Sequence, residues 1–139
     1  MRDPDSFRVT TSDDAALGQA YWADRLDQDV VVGFEQHGAL LGIGGLQRFS
    51  GEKLAHKALI WGMYVRPQAR GTGAAGAVVE ALIAHAPEGV RQLQLTVMAH
   101  NLRARSLYER HGFSVYAIEP ASVRIGDQFW DEALMWRPL

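Results

Sequence analysis

The sequence predicts a single α+β domain, and three observations carry that prediction. Two apolar runs, residues 30–35 and 39–49, flank a His37-Gly38 turn signal and read as an antiparallel hairpin. The stretch Gln92–Met98 alternates cleanly, with Leu93, Leu95 and Val97 on one face and Gln92, Gln94 and Thr96 on the other. Two segments of helical length, one after Gly71 and one from Asn101, lie on either side of that strand. A chain of 139 residues holds one domain, residues 1–139, with a core large enough to fold unaided.

Taken in order, residues 7–10 have the composition of a strand. Ser12-Asp13-Asp14 then supplies an N-cap and an acidic first turn. Leu17, Tyr21, Trp22 and Leu26 continue at helical spacing, which predicts a helix running to about Asp27. The hairpin follows, and Gly42, Gly44 and Gly45 in its second strand signal a bulge or a close approach. Residues 50–55 are a polar connection, and residues 57–65 a central strand. Residues 71–86 are an Ala- and Val-rich helix stopped at Pro87. Residues 101–111 form a second helix, with Ala104, Leu107, Tyr108 and His111 on one face and Gly112 at the left-handed C-cap position. Residues 115–118 are a strand; Gly126-Asp127 turns a last hairpin, and residues 128–136 return. Antiparallel strands thus come first, and a β-α-β-α-β run begins near residue 57.

Hydrophobic residues make up 47% of the chain and charged residues 22%, which excludes a wholly disordered or fibrous chain. Fourteen Lys and Arg against sixteen Asp and Glu leave a net charge of −2, so no nucleic-acid partner is expected. Cysteine is absent, which excludes a disulfide framework, a thiolate metal site and a Cys nucleophile. No apolar run approaches the ~18 residues of a membrane span, so no membrane partner is expected. The polar start, MRDPDSF, lacks a signal-peptide core, and the expected location is cytoplasmic. No internal repeat or linker divides the chain, and no metal constellation is visible.

The informative stretch runs from Val65 to Gly76: Val-Arg-Pro-Gln-Ala-Arg-Gly-Thr-Gly-Ala-Ala-Gly. A strand ends, the chain turns and a helix begins. Gly71 and Gly73 admit positive φ and let a ligand meet the backbone, and a helix start offers unpaired N–H groups to an anion. Gly71 to Gly76 has the glycine spacing of a Walker A loop, but Ala77-Val78 stand where Lys and Ser or Thr are needed. The same residues match G-x-G-x-x-G, yet five residues separate Val65 from Gly71, and the acid expected about 20 residues on is replaced by the Arg91 region.

A third reading uses the whole stretch. Gln68-x-x-Gly71-x-Gly73, with the preceding Val-Arg-Pro, resembles the Q/R-x-x-G-x-G/A signature of the GNAT superfamily of N-acetyltransferases. A second segment agrees: Asn101-x-x-Ala104-x-x-Leu107-Tyr108-x-x-x-Gly112-Phe113 resembles that family's N-x-x-A-x-x-L-Y-x-x-x-G-F. The resemblance covers residues 30–137. It implies a three-layer α/β/α arrangement around a mixed, mostly antiparallel twisted sheet with a splayed central strand pair. The short N-terminal stretch fits less well. It leaves room for the usual first strand to be missing, with Trp22 and Arg25-Leu26 then closing the family's second helix.

The resemblance implies an acyl-CoA-dependent N-acyltransferase that moves acetyl from acetyl-CoA to a primary amine, small molecule or peptide, by direct attack in a ternary complex. No metal enters that chemistry. Gln68, Arg70, Gly71, Thr72, Gly73 and Ala74 would hold the pyrophosphate. Met63 and Val65 would pair with the pantetheine arm, with backbone N–H groups there polarising the thioester, and Asn101 would contact that arm. Tyr108 would be the general acid, and it would also touch the cofactor. A base is harder to place. His56 or Glu52, just before the central strand, are the candidates, with Glu119 and Asp131 in later strands. Glu52, Glu119, Asp127, Asp131 and Glu132 would all suit a cationic acceptor. Trp61 is assigned to the core, and Trp130 and Trp136 to core or pocket. The family also allows a homodimer. Two other functions compete: a CoA-binding, non-catalytic protein of the same fold, and a nucleotide-binding enzyme using the Gly-rich turn.

Overall fold

The computed structural model describes residues 29–139 and, before them, the backbone of residues 8–9 and 19–26. The strands are β1 (Arg8–Val9), β2 (Gln19–Leu26), β3 (Asp29–Gln36), β4 (Ala39–Arg48), β5 (Lys57–Val65), β6 (Gln92–Met98), β7 (Ser114–Ile125) and β8 (Gln128–Pro138). Two α-helices lie between them, α1 (Ala74–Ala84) and α2 (Leu102–Arg110). The described strands form one sheet in the order β1-β2-β3-β4-β5-β6-β8-β7. Every neighbouring pair is antiparallel except β5 and β6, so the expected mixed, mostly antiparallel α+β fold is present.

Most elements follow the sequence pattern, and three depart from it. The helix expected to reach Asp27 is replaced, over Gln19–Leu26, by β2, which pairs with β3 from Gln19↔Gln36 to Leu26↔Asp29. A hairpin partner that satisfies every second backbone group outweighs a weak helical spacing, and Tyr21 and Trp22 suit a strand equally well. Trp22, Arg25 and Leu26 therefore close no helix. Ser12, Asp13, Asp14 and Leu17 lie outside the described residues, while Arg8–Val9 falls within the stretch read as a strand. Helix α1 starts at Ala74 rather than Gly71, because Gly71 (φ 81°) and Gly73 (φ 90°) are left-handed and cannot sit inside a right-handed helix. Strand β7 runs on to Ile125, past a bulge between Glu119 and Val123 where Ala121 has φ 50°. Pro120 hides that continuation from a sequence reading. The bulge is held by the Asp131 carboxylate, which accepts from the Ala121 N–H at 2.9 Å.

Paired residues on neighbouring strands share a face. Leu46 of β4, Ile60 and Ala58 of β5, Leu93 and Leu95 of β6, and Met135 and Ala133 of β8 form one buried surface. Helix α1 covers it with Val78, Val79 and Leu82, all fully buried. Each such side chain contributes about 1.5–3 kcal/mol, so this layer dominates the stability. Gly44 is a glycine because α1 lies close: a Cβ there would sit 2.9 Å from Val78 and 3.1 Å from Leu82. Helix α2 lies beside α1, with Leu107 and His111 against Gly76. Gly45 points to the other face and lies under the Trp61 indole. Trp61 is 41% exposed there, not in the core as expected, because a strand alternates its faces and Ile60 takes the inward place.

Candidate active site

The central parallel pair is joined only at its start, by Lys57↔Gln92, Ala58↔Leu93 and Leu59↔Gln94. Past that point residues 60–65 and 95–98 face each other across a gap. A bulge in β5 contributes to the divergence. Ile43 and Gly45 of β4 pair with Tyr64 and Trp61, so Gly62 and Met63 together oppose Gly44. Gly62 has φ 64°, the left-handed residue that such a bulge requires, and the extra residue bends the strand. The gap is a cavity of about 450 Å³, lined by Leu59 through Met63, Leu95 to Val97, and Asn101, Ala104 and Tyr108. The sequence reading missed this bulge, although a lone glycine inside an apolar strand was its signal.

A second hollow of about 620 Å³ lies between the Gly-rich turn and α2. Val65, Arg70, Gly71, Gly73, Ala75 and Gly76 line one side, and Asn101, Arg103, Ala104, Leu107 and Arg110 the other. The turn is built locally. Residues Pro67–Ala69 make a short 3-10 turn, Arg70 and Thr72 N–H groups bond back to Pro67 and Ala69, and the Thr72 hydroxyl donates to the Ala69 carbonyl. The first helical bond is Ala77 N–H to Gly73 O at 3.0 Å, so the N–H groups of Ala74, Ala75 and Gly76 have no partner inside the helix. Three arginines and no acid line the hollow. This is an anion groove, and it joins the cavity at Asn101 and Ala104, which line both.

Asn101 caps α2, its side chain accepting from Ala104 N–H at 3.1 Å, and it keeps its place at the junction. Tyr108, one helical turn beyond Ala104 on the same face, is 8% exposed and lines the cavity. Burial pushes its phenol above the ordinary value of 10.0, so the hydroxyl stays protonated at neutral pH. That state can donate a proton.

Of the expected cofactor residues, Val65, Arg70, Gly71, Gly73 and Asn101 line the groove, and Met63, Asn101 and Tyr108 line the cavity. Gln68 is exposed on the 3-10 turn, Thr72 closes the turn, and the Ala74 side chain packs into the core. The Arg103 guanidinium lies 3.8 Å from where a Gly71 Cβ would be. The base candidates are not brought to the cavity. The His56 carbonyl accepts from Arg91 and Gln92 N–H groups at the closed end of the pair, and Glu52 lies in the exposed turn before it. At ~3.3 Å per residue, His56 is on the order of 20 Å from Met63. Spacing along the chain could not show which end of β5 opens. Glu119 and Glu132 face each other across β7 and β8, and Glu132 pairs with Met98 at the open end of β6. Asp127 lies in the last turn, 3.9 Å from Arg124. Among the described residues, no group of three or more His, Cys, Asp or Glu could hold a metal ion.

The sequence pattern of the acetyltransferase (GNAT) family matches residues 2–113. An uncharacterised N-acetyltransferase of Bacillus subtilis is 31% identical over 99 residues, which cover 68% of this chain and 66% of that relative. The chain thus spans about two thirds of its relative's length. An acetyltransferase of the GNAT family from Streptococcus pneumoniae superposes with a TM-score of 0.75 at 24% identity, over 82% of this chain and 69% of that one. A Salmonella typhimurium protein solved with its cofactor acetyl-CoA superposes with a TM-score of 0.72 at 20% identity, over 91% of this chain and 68% of that one.

Proposed function

Because the chain belongs to the acetyltransferase (GNAT) family, we propose that it transfers acetyl from acetyl-CoA to a primary amine by direct attack in a ternary complex in the cytoplasm. The single observation that carries this reading is the continuity of the anion groove with the splayed cavity at Asn101 and Ala104. A diphosphate linked to a long flexible arm has that shape. The groove offers backbone N–H groups and the positive end of α1, each such contact worth about 0.3–1 kcal/mol when exposed. Residues 60–65 and 95–98 leave strand edges that can take an extended arm.

Acetyl-CoA supplies an activated thioester, and the protein's own groups do the rest. Backbone N–H groups near Met63 and Val65, in the strand that borders the gap, polarise the carbonyl oxygen as it gathers charge. The amine nitrogen forms the new bond to the carbonyl carbon as the carbon–sulfur bond breaks. Tyr108 gives its proton to the departing sulfur and regains one from solvent, to which the amine nitrogen releases its own. An alkylammonium with pKa ~10.4 must first lose a proton, which costs about 4.6 kcal/mol at pH 7. Glu119 and Glu132 at the open end of β6 favour the approach of a cationic acceptor.

Two measurements test the reading. Thermal shift with acetyl-CoA, CoA, ATP and NAD should show stabilisation by the first two alone, of about 2.7 kcal/mol at 100 times Kd. Free-thiol release across a panel of amines should then show turnover. Stabilisation without thiol release for any amine would leave a CoA-binding, non-catalytic protein.

A further inference from the structure

Gly76 is the last glycine of the turn motif, and its missing side chain serves a contact outside the groove. A Cβ at Gly76 would lie 3.3 Å from Cε1 and 3.5 Å from Nε2 of His111, at the end of α2. The imidazole therefore rests against the α1 backbone and bridges the two helices that wall the groove. Its Nδ1 lies 2.9 Å from the Leu107 carbonyl oxygen. Its Nε2 lies 3.4 Å from Oε1 of Glu80 on α1. Both partners can only accept. A neutral imidazole has one N–H and must turn a lone pair toward one of them, whereas the imidazolium donates to both.

The charged groups around the ring come from three elements. Glu80 of α1 attracts the cation. Arg110, on His111's own helix, and Arg137 of β8 share a surface hollow with Glu80 and His111 and oppose it. Arg137 Nε is already engaged, donating to the His111 carbonyl at 2.7 Å. The ring also sits at the C-terminal end of α2, where the helix dipole favours positive charge.

We propose that His111 is a positioning residue: as imidazolium it clamps α1 to α2 through Glu80, and so holds the N–H groups of Ala74, Ala75 and Gly76 at the spacing that grips the cofactor diphosphate. The proposal rests on the acyl-CoA reading of the groove. It makes cofactor affinity rise as pH falls through the range where an imidazole gains its proton. Glu80 is mostly exposed, so the effect is that of a screened ion pair, about two- to fivefold in affinity.

The test is calorimetric titration with acetyl-dephospho-CoA at about pH 5.5 and pH 8, which bracket imidazole titration. This probe lacks the phosphate monoester that would itself titrate near pH ~6. The wild-type protein should bind about two- to fivefold tighter at the lower pH. Glu80→Gln, a surface change that leaves folding intact, should bind equally at both, at the level the wild type shows at pH 8. His111→Gln should do the same. A wild-type ratio near one, or a ratio that survives in both variants, overturns the clamp. An equal loss at both pH values in the variants would make His111 a packing residue only, and also overturns it. No binding by wild type at either pH would instead remove the acyl-CoA reading on which the clamp depends.

Discussion

The Tyr108 ring meets the Phe113 ring edge-on, with centroids 5.8 Å apart and planes inclined at 69°. The contact is made possible by Gly112, whose φ of 91° reverses the chain after α2 and returns Phe113 beneath the helix. The Phe113 N–H then bonds to the Tyr108 carbonyl at 3.0 Å. Packing thus fixes the ring, and the Tyr108 hydroxyl makes no hydrogen bond to another described residue. The spacing Tyr-x-x-x-Gly-Phe has a physical content: it holds a phenol by its ring at the wall of the cavity.

Tyr108→Phe keeps the ring contact and removes only the hydroxyl. It should lower kcat about 10–10³-fold, with little change in acetyl-CoA affinity or Tm. Thiol-release kinetics and a melting curve on that variant check it. Near-normal turnover would take Tyr108 out of the mechanism.

The same residue predicts an alkaline effect on stability. Its folded pKa lies above the unfolded value near 10, because burial disfavours the phenolate. Below pH ~10 both states keep the proton, and no stability difference arises. Above it the unfolded chain ionises first, so stability falls as pH rises. Urea unfolding from pH 9 to 11 should show a steeper loss in wild type than in Tyr108→Phe, and parallel curves would contradict the burial.

Gly73→Val should weaken acetyl-CoA binding at least tenfold, or ~1.4 kcal/mol. No atom lies within 4 Å of the Cβ position at Gly73, so the new side chain occupies space in front of the helix start. The left-handed φ adds a stability cost of about 1–3 kcal/mol for a β-branched residue. Gly73→Asn, which tolerates that conformation, separates the two effects. Unchanged affinity in the Val variant would exclude the turn as the cofactor site.

Gly44→Ala should destabilise the fold by about 1–3 kcal/mol, because its methyl would meet Met63 Sδ at 2.7 Å and Val78 at 2.9 Å. Chemical denaturation measures this. A neutral result would mean that α1 stands further from β4 than described.

His56→Ala should leave the pH profile of kcat/KM superimposable on wild type, since His56 lies at the closed end of β5. A lost inflection in that variant would require the closed end of the pair to reach the acceptor amine.

By itself the sequence determined what local rules can carry. Alternation in Gln92–Met98, the glycines at 71, 73 and 112, and Asn101 ahead of α2 each state a backbone requirement in residues close together in the chain. Those requirements place the turn, the cap and the phenol without reference to any distant segment. The tertiary structure decided what depends on partners distant in sequence. Gln19–Leu26 became a strand because β3 was there to pair with it. Trp61 was turned outward because Ile60 was drawn inward, and His56 lies away from the cavity because β5 and β6 pair at their starts and separate at their ends. Gly76 and His111 met only when the two helices packed side by side. In each case the deciding energy lies in burial or pairing between segments, and no window of neighbouring residues contains it.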